Sequence, residues 1–434
     1  MSVAHGSRRV LVTGIGMVSP LGQGTTENWK AVVDGAHCIT KVPEFSTNCK
    51  LAGRLTTRIF NPEDHLTSLN EPIYSLGSAI IAQTLRDAAW KEAQLNEREL
   101  RKTGILVANQ YGVQEVGKDK EAGKLRLIKE MNHIVPAQAA MAYGFKGHVG
   151  MTTMASAGGG IAIGEAFRLI KHGYMDRMVV GGFDYNVNEN VMEGMDAFKA
   201  LTRTQNDTPD EAMRPFDKKR SGTVLSDGGA CLFLETEESA ERRGVSQVYG
   251  EVAGYHMTCD AYHVLRPTDS GIGLISAIQE ALIEAGVAPQ HVSAFNCHAT
   301  STPVGDKSEA SCIASILGAA HQRNVKTLDD FKAISPEEIS QYTASDIGTE
   351  DLPVLTALKG NLGHCVAGAG SLEAAFALLS LQKQEVTKIR NLEDPLCDKL
   401  RFATRNEHQA LDVIVKNSLV FGGINASMVF KRFV

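Results

Sequence analysis

Ser156-Ala157-Gly158-Gly159-Gly160-Ile161-Ala162-Ile163-Gly164-Glu165-Ala166-Phe167 has a counterpart late in the chain, Cys365-Val366-Ala367-Gly368-Ala369-Gly370-Ser371-Leu372-Glu373-Ala374-Ala375-Phe376. In each, eleven positions separate the first residue from the phenylalanine, and a run of small residues enters an apolar helix pattern. A helix apolar round much of its circumference is expected to be buried. Taken as an internal repeat, the pair divides the chain into two similar halves that meet near residue 248. Taken as a chance likeness of glycine-rich helix starts, it divides nothing.

Outward from this pair, short apolar runs alternate with longer helical patterns. Val10-Leu11-Val12-Thr13-Gly14-Ile15-Gly16 reads as a buried opening strand with a glycine turn, and Arg177-Met178-Val179-Val180-Gly181-Gly182 reads the same way. Ala294–His298 and Asp412–Val415 are further strand candidates, and helices are expected over 73–94, 158–172, 272–286, 305–320 and 370–384. Strands alternating with helices indicate an α/β protein. Strands apolar on both faces indicate a sheet covered on both sides.

With 434 residues, 43% of them hydrophobic, the chain is neither a disulfide-stapled miniprotein nor a disordered segment. Its 44 basic against 50 acidic residues, net −6, give no basic excess to favour nucleic acid. The eight cysteines are scattered without a CxxC pair, which points to reduced thiols in a reducing compartment, with no metal site expected. No apolar run approaches the ~18 residues of a membrane span. The start, Met1–Arg9, is too short and polar for a secretory signal; it reads as a cloning remnant or the stub of a removed targeting peptide. Residues 328–352 carry Asp329, Asp330, Glu337, Glu338, Asp346, Glu350 and Asp351 against Lys332 alone, and are expected to form a solvated acidic surface insertion.

Four segments carry candidate chemistry. A strand-to-helix turn at Thr152–Gly160 places Ser156 near a helix N-terminus, whose partial positive charge and free N–H groups suit either a nucleophile or an ordinary capping serine. Its three glycines are expected to let another group approach the backbone. His298 ends a strand and precedes Ala299-Thr300-Ser301-Thr302-Pro303, a position where α/β proteins bind ligands. Lys359 precedes Gly360-Asn361-Leu362-Gly363-His364, and Glu373 follows fourteen residues after the lysine, a pair able to meet inside a core. Asn417–Ser427 runs through Phe421-Gly422-Gly423, either an oxyanion-facing turn with a gating phenylalanine or a plain hairpin.

Together and in order, these segments resemble the β-ketoacyl-acyl-carrier-protein synthases of the elongating type, condensing enzymes of fatty acid synthesis. The likeness runs from Val10–Gly22, through Arg214-Pro215-Phe216-Asp217-Lys218-Lys219-Arg220 and Asp227-Gly228, to the Phe421-Gly422-Gly423 loop. It implies the thiolase fold: two similar halves, here 1–248 and 249–434, stacked as five alternating layers, α-β-α-β-α, in a homodimer. It implies a decarboxylative Claisen condensation between acyl and malonyl groups on an acyl carrier protein. No cofactor is required beyond the carrier's phosphopantetheine. By the resemblance His298 and His364 promote decarboxylation, Lys359 and its acidic neighbour Glu373 support them, and Thr300 and Thr302 bind the phosphopantetheine arm. Phe421 is the gate and oxyanion N–H donor, on a turn that Gly422 and Gly423 support. The compartment implied is the cytoplasm or an organelle matrix, the mitochondrion included.

One position departs from the family. Its nucleophilic cysteine lies eight residues before the glycine of the helix motif, and eight before Gly164 is Ser156. A hydroxyl there is far less nucleophilic than a thiolate without a base. Ser156 is therefore expected to be a replacement that inactivates condensation and traps a complex. The alternatives are a serine native to the chain that condenses slowly or only decarboxylates, and a non-condensing partner subunit like the chain-length factors, or a carrier-binding protein without turnover. Leu419-Val420 before Phe421 is bulkier than the usual Phe-Gly and is expected to stiffen the gate. Lys124, Arg126, Lys129 and Arg203 are candidates for docking the acidic carrier.

Overall fold

The computed structural model describes residues 8–55, 72–91, 95–112, 128, 131–348 and 351–434. Ten strands carry the main sheet: β1 (Val10–Ser19), β2 (Thr103–Ala108), β3 (Val149–Thr152), β4 (Arg177–Asp184), β5 (Gly228–Thr236), β6 (Gly250–Cys259), β7 (Ala294–Asn296), β8 (Val354–Thr356), β9 (Val413–Val420) and β10 (Ile424–Lys431). Gly22–Gln23 adds a two-residue strand folded back on the end of β1. Among the described residues the layers are built by α1 (Pro72–Asp87), α2 (Ile134–Tyr143), α3 (Gly158–Lys171), α4 (Ile272–Ala285), α5 (Pro303–Gln322) and α6 (Ala367–Lys383), and a further helix, Gly24–Val33, lies against β1.

The strand order is β3-β2-β4-β5-β1-β6-β10-β9-β7-β8. With β6–β10 counted as a second β1–β5, both sets of strands have the same order. Pairing repeats too. β2 runs parallel to β3 and β4, as β7 does to β8 and β9. β5 is antiparallel to β4 and β1, as β10 is to β9 and β6. α3 and α6 occupy equivalent places, each entering from a parallel strand. The likeness of Ser156–Phe167 to Cys365–Phe376 is thus a repeat of structure.

The two β layers are one sheet, joined where Val10–Val12 of β1 pair with Gly250–Val252 of β6. α3 and α6 contact each other and strands of both arms, so they form the central layer. α1 and α2 cover the first arm, α4 and α5 the second, which completes five layers of the thiolase type. One hydrophobic cluster runs through both halves.

Several local expectations change. β1 does not turn at its glycines; it continues to Ser19, because a Cβ on Gly16 would stand 2.3 Å from the Ile80 carbonyl oxygen of α1. The glycines serve close helix–sheet packing. β4 likewise runs on to Asp184. α1 ends at Asp87 rather than continuing to 94, since Ala89 takes a left-handed φ of 49°; residues 92–94 lie outside the described ones. The glycines after Ser156 serve close packing: a Cβ on Gly159 would lie 2.7 Å from the Ala367 carbonyl oxygen of α6, and one on Gly160 2.8 Å from Ser418 Oγ of β9.

The acidic insertion is more than a solvated decoration. Phe331, Ile334 and Ile339 are buried, and Gln279 of α4 donates to the carbonyl oxygens of Phe331 and Ile334 at 3.1 and 2.7 Å. Asp330 and Asp346 close capping boxes with Thr327 and Thr343. Among the described residues no helix is long and apolar enough to cross a membrane. All eight cysteines are free thiols.

Candidate active site

β3 ends at Thr152, and a single 3₁₀ turn, Ala155–Ala157, leads into α3. Ala155 is held at φ 37°, a left-handed backbone that disfavours a side chain. Its N–H donates to the Gln110 side chain at 2.8 Å. Ser156 does not cap α3, whose N-cap is Ala157 without a side-chain bond. The Ser156 Oγ instead lies 2.9 Å from Nε2 of His364.

His364 reaches this place through an unusual backbone. Gly363 sits at φ 67°, ψ −166°, a region open essentially to glycine alone. The His364 N–H donates to the Val224 carbonyl at 2.8 Å and its carbonyl accepts from Ser226 N–H at 3.0 Å, so its backbone is anchored at both sides. His298 follows β7, and the N–H groups of His298 and Ala299 both donate to the Glu309 carboxylate at 2.8 Å. The two imidazoles meet edge to face, with centroids 5.7 Å apart.

Behind His298 is a buried charge cluster. Lys359 Nζ pairs with Glu373 and donates to the His298 carbonyl, 3.4 Å from that ring's Nδ1. Lys416 of β9 reaches the other Glu373 oxygen at 2.9 Å and donates to Ser418 Oγ at 2.6 Å. Burial, reinforced by these lysines, holds both His298 and His364 well below the usual histidine range. Both rings are therefore neutral near pH 7. Burial also lowers the Lys416 ammonium and raises the Glu309 carboxyl.

Thr300 and Thr302 hydroxyls are 3.0 Å apart, and Thr302 caps α5 through the Gly305 N–H. The Arg214–Arg220 segment braces this loop. Arg214 N–H donates to Ser301 Oγ at 2.9 Å, Arg220 Nε to the Thr302 carbonyl at 3.1 Å, and Phe216 N–H to Asp306 at 2.8 Å. Phe421 stands at the β9–β10 turn, edge-on to Phe198 at 6.1 Å. The ladder pairs Leu419 with Asn425 and Val420 with Ile424, so only Phe421–Gly423 lie outside it. Gly422 and Gly423 take φ of 89° and 73° there.

A cavity of about 610 Å³ joins these parts; Ser156, His298, His364, Thr300, Thr302 and Phe421 all line it. Lys359 and Glu373 stand behind its wall. Of the docking candidates, Arg203 is paired with Asp196 at 2.9 Å, while Lys124, Arg126 and Lys129 lie outside the described residues.

Some residues around the site escaped the sequence. Lys416 was visible as one charge directly after Val413-Ile414-Val415, and Glu309 as a carboxylate one turn after Asp306. Gln110 and Asp184 carried no local signal, because their partners are far away in the chain.

Residues 7–240 match the family model for the β-ketoacyl synthase N-terminal domain, and 249–333 with 336–393 match that for the C-terminal domain. A mitochondrial 3-oxoacyl-[acyl-carrier-protein] synthase of Arabidopsis thaliana is 31% identical over 464 residues, covering 98% of this chain and 94% of the relative. A 3-oxoacyl-[acyl-carrier-protein] synthase 2 of Staphylococcus aureus (strain COL) is 32% identical, covering 98% and 99%. Among solved structures, a ketosynthase of a type II PKS in complex with its acyl-carrier protein superposes with a TM-score of 0.82 at 23% identity, covering 99% and 100%. A sheet of twice-repeated order, two facing histidines on one cavity and family models spanning both halves agree, and the chain belongs to the β-ketoacyl synthase family.

Proposed function

We propose that this chain works on carrier-bound malonyl thioesters by the chemistry for which its relatives are named, the decarboxylative condensation of 3-oxoacyl-acyl-carrier-protein synthesis. The observation that carries the reading is the convergence of Ser156, His298 and His364 on one cavity with the Thr300–Thr302 pair. When the malonyl carboxylate leaves as carbon dioxide, its electron pair moves onto the thioester carbonyl oxygen. Two neutral imidazoles can each donate one N–H to that oxygen, in a pocket where such donors act strongly. Burial, with Lys359 and Lys416 nearby, keeps the rings unprotonated, and Lys359 holds His298 through its carbonyl oxygen. Thr300 and Thr302 offer hydroxyls to the amide-rich phosphopantetheine arm, and Phe421 with Gly422 and Gly423 forms the gate. No cofactor beyond that arm enters the scheme.

Acyl carrier protein is the proposed partner, docking on Arg203 and the basic residues at 124, 126 and 129, with a homodimer as the assembly. The proposed compartment is a cytoplasm or an organelle matrix, as the mitochondrial relative suggests. The halves are proposed to divide at 248/249; the identical strand orders support this.

Ser156 is proposed to stand at the family's cysteine position, as a replacement that costs condensation. A second reading, decarboxylation without condensation or a partner subunit without turnover, is favoured by the same residue, since a hydroxyl stays protonated at neutral pH. Two variants test these roles. Ser156→Cys should gain malonyl-dependent chain elongation on acyl carrier protein, because a thiol beside a helix N-terminus ionises readily; equal activity of both forms would remove Ser156 from the nucleophile position. His298→Ala should lower carbon dioxide release from malonyl thioesters by about 100-fold or more. Release at the parent rate would take that role from His298.

A further inference from the structure

We infer that Ser156 and His364 form a serine–histidine dyad that hydrolyses acyl thioesters of a pantetheine-type arm. The inference rests on the proposal above for the cavity's substrate, and it deepens it by assigning the serine an activity of its own.

The geometry is that of an activated hydroxyl. Ser156 Oγ is 2.9 Å from Nε2 of His364, within the reach required between nucleophile and base. Its backbone position is set from outside: the preceding Ala155 is pinned by Gln110 in a left-handed conformation. His364 is fixed through its own backbone to Val224 and Ser226. In the Nδ1–H tautomer, Nε2 accepts the serine proton. Nδ1 has no protein hydrogen-bond partner among the described residues, so no carboxylate stabilises an imidazolium, and two buried lysines oppose it. The dyad is consequently slower than a full triad, whose third member holds that charge.

The steps balance without any oxidant. The Ser156 oxygen bonds to the thioester carbonyl carbon while Nε2 takes its proton. The carbon–sulfur bond breaks and the thiol leaves with that proton. Water then gives a proton to the same nitrogen and bonds to the ester carbon. The carbon–oxygen bond to Ser156 breaks, and the serine oxygen recovers the proton. Acyl thioester and water have become carboxylic acid and thiol.

An oxygen ester is less reactive toward a carbon nucleophile than a thioester, and returning the acyl group to a thiol is uphill. The acyl group on Ser156 is thereby diverted from condensation, and water reaches it through the open cavity. The two activities also compete at one atom. Donating to an enolate needs the proton on Nε2 of His364, whereas serving as base needs that nitrogen bare.

The test uses the purified full chain with acetyl-pantetheine and hexanoyl-pantetheine as probes. Loss of thioester and release of thiol are followed together with intact-protein mass. Thiol release should exceed the spontaneous rate and continue over many turnovers. It should drop to the spontaneous rate in Ser156→Ala and fall by about 100-fold or more in His364→Ala. Acid quenching should trap one acyl group, mapped to Ser156. Release unchanged in Ser156→Ala overturns the proposal, and so does a stable acyl-serine that never turns over. Malonyl-pantetheine, read as carbon dioxide released by the parent protein, separates the two failures. Decarboxylation without serine-dependent hydrolysis sinks the dyad alone, whereas absence of decarboxylation sinks the condensing reading beneath it.

Discussion

Asp184, at the end of β4, gathers N–H groups from two parts of the site. It accepts from the Asn109 side chain at 2.7 Å, from Gln110 N–H at 3.0 Å and from Ala367 N–H at 2.7 Å. Gln110 in turn holds the turn before Ser156, and Ala367 follows closely on His364. Burial pushes this carboxyl up to about 7, with the backbone N–H groups opposing the rise. A carboxyl raised from 3.8 binds its proton more tightly folded than unfolded. Its stabilising contribution is full below about pH 4 and is lost as pH rises through about 7. Asp184→Asn should cost about 1–3 kcal/mol, since an amide turns a donor toward donors. It should also flatten the decline of stability between pH 4 and 7. Urea midpoints measured across that range check this, and parallel pH profiles for parent and variant would contradict it. Nothing near Asp184 in the sequence announces this role. Ser156, His298 and His364 were legible because each lies in a short motif of distinctive residue types. Asp184, Gln110 and Lys416 act on partners brought close by folding alone.

At the scale of elements, the central pair of helices sets the tolerances. A Cβ on Gly159 of α3 would meet the Ala367 carbonyl oxygen at 2.7 Å and the Ser371 nitrogen at 2.9 Å, both backbone atoms of α6. Backbone cannot yield as a flexible side chain does, so Gly159→Val should cost about 3 kcal/mol. It should lower thiol release as well, because both helices begin just after the site residues. Gly194, in the helix Glu189–Ala197, faces nothing within 4 Å. Gly194→Ala therefore serves as the control and should stabilise by about 0.5–1 kcal/mol. Thermal unfolding of the two variants beside the parent decides the point; equal destabilisation would deny the close packing. Helix positions were legible from apolar periodicity: 158–172 and 272–286 are matched within a residue by α3 and α4. The glycine-bearing strands were not, because a glycine needed for close packing looks in sequence like one needed for a turn.

At the scale of the molecule, the two halves share their largest core, while a second cluster, from Val18 to Phe233, lies within the first half alone. β1 and β6 join the arms, α3 and α6 contact strands of both, and one apolar cluster includes residues from Val10 to Phe430. Residues 1–248 made alone would expose the face of α3 that α6 covers and the edge of β1 that β6 covers. That fragment should be insoluble or lack native circular dichroism, and a folded monomeric fragment would refute the shared core. Such sharing also explains how His364 of one half meets Ser156 of the other, with His298 lining the same cavity.

By itself the sequence determined the α/β class and the motif residues that gather at the cavity, because periodicity and motif are local properties of a chain; it offered the repeat as one of two readings, and the strand order decided it. The sequence also raised the expectation of a departure at 156, which rests on counting back from Gly164. The tertiary structure alone decided that Ser156 meets His364 and does not cap its helix. It alone decided that two lysines divide Glu373, and that Gly159 packs against the neighbouring helix. Each of these is a contact between segments far apart in sequence, and burial, which keeps both histidines neutral, exists only once those segments have closed around them.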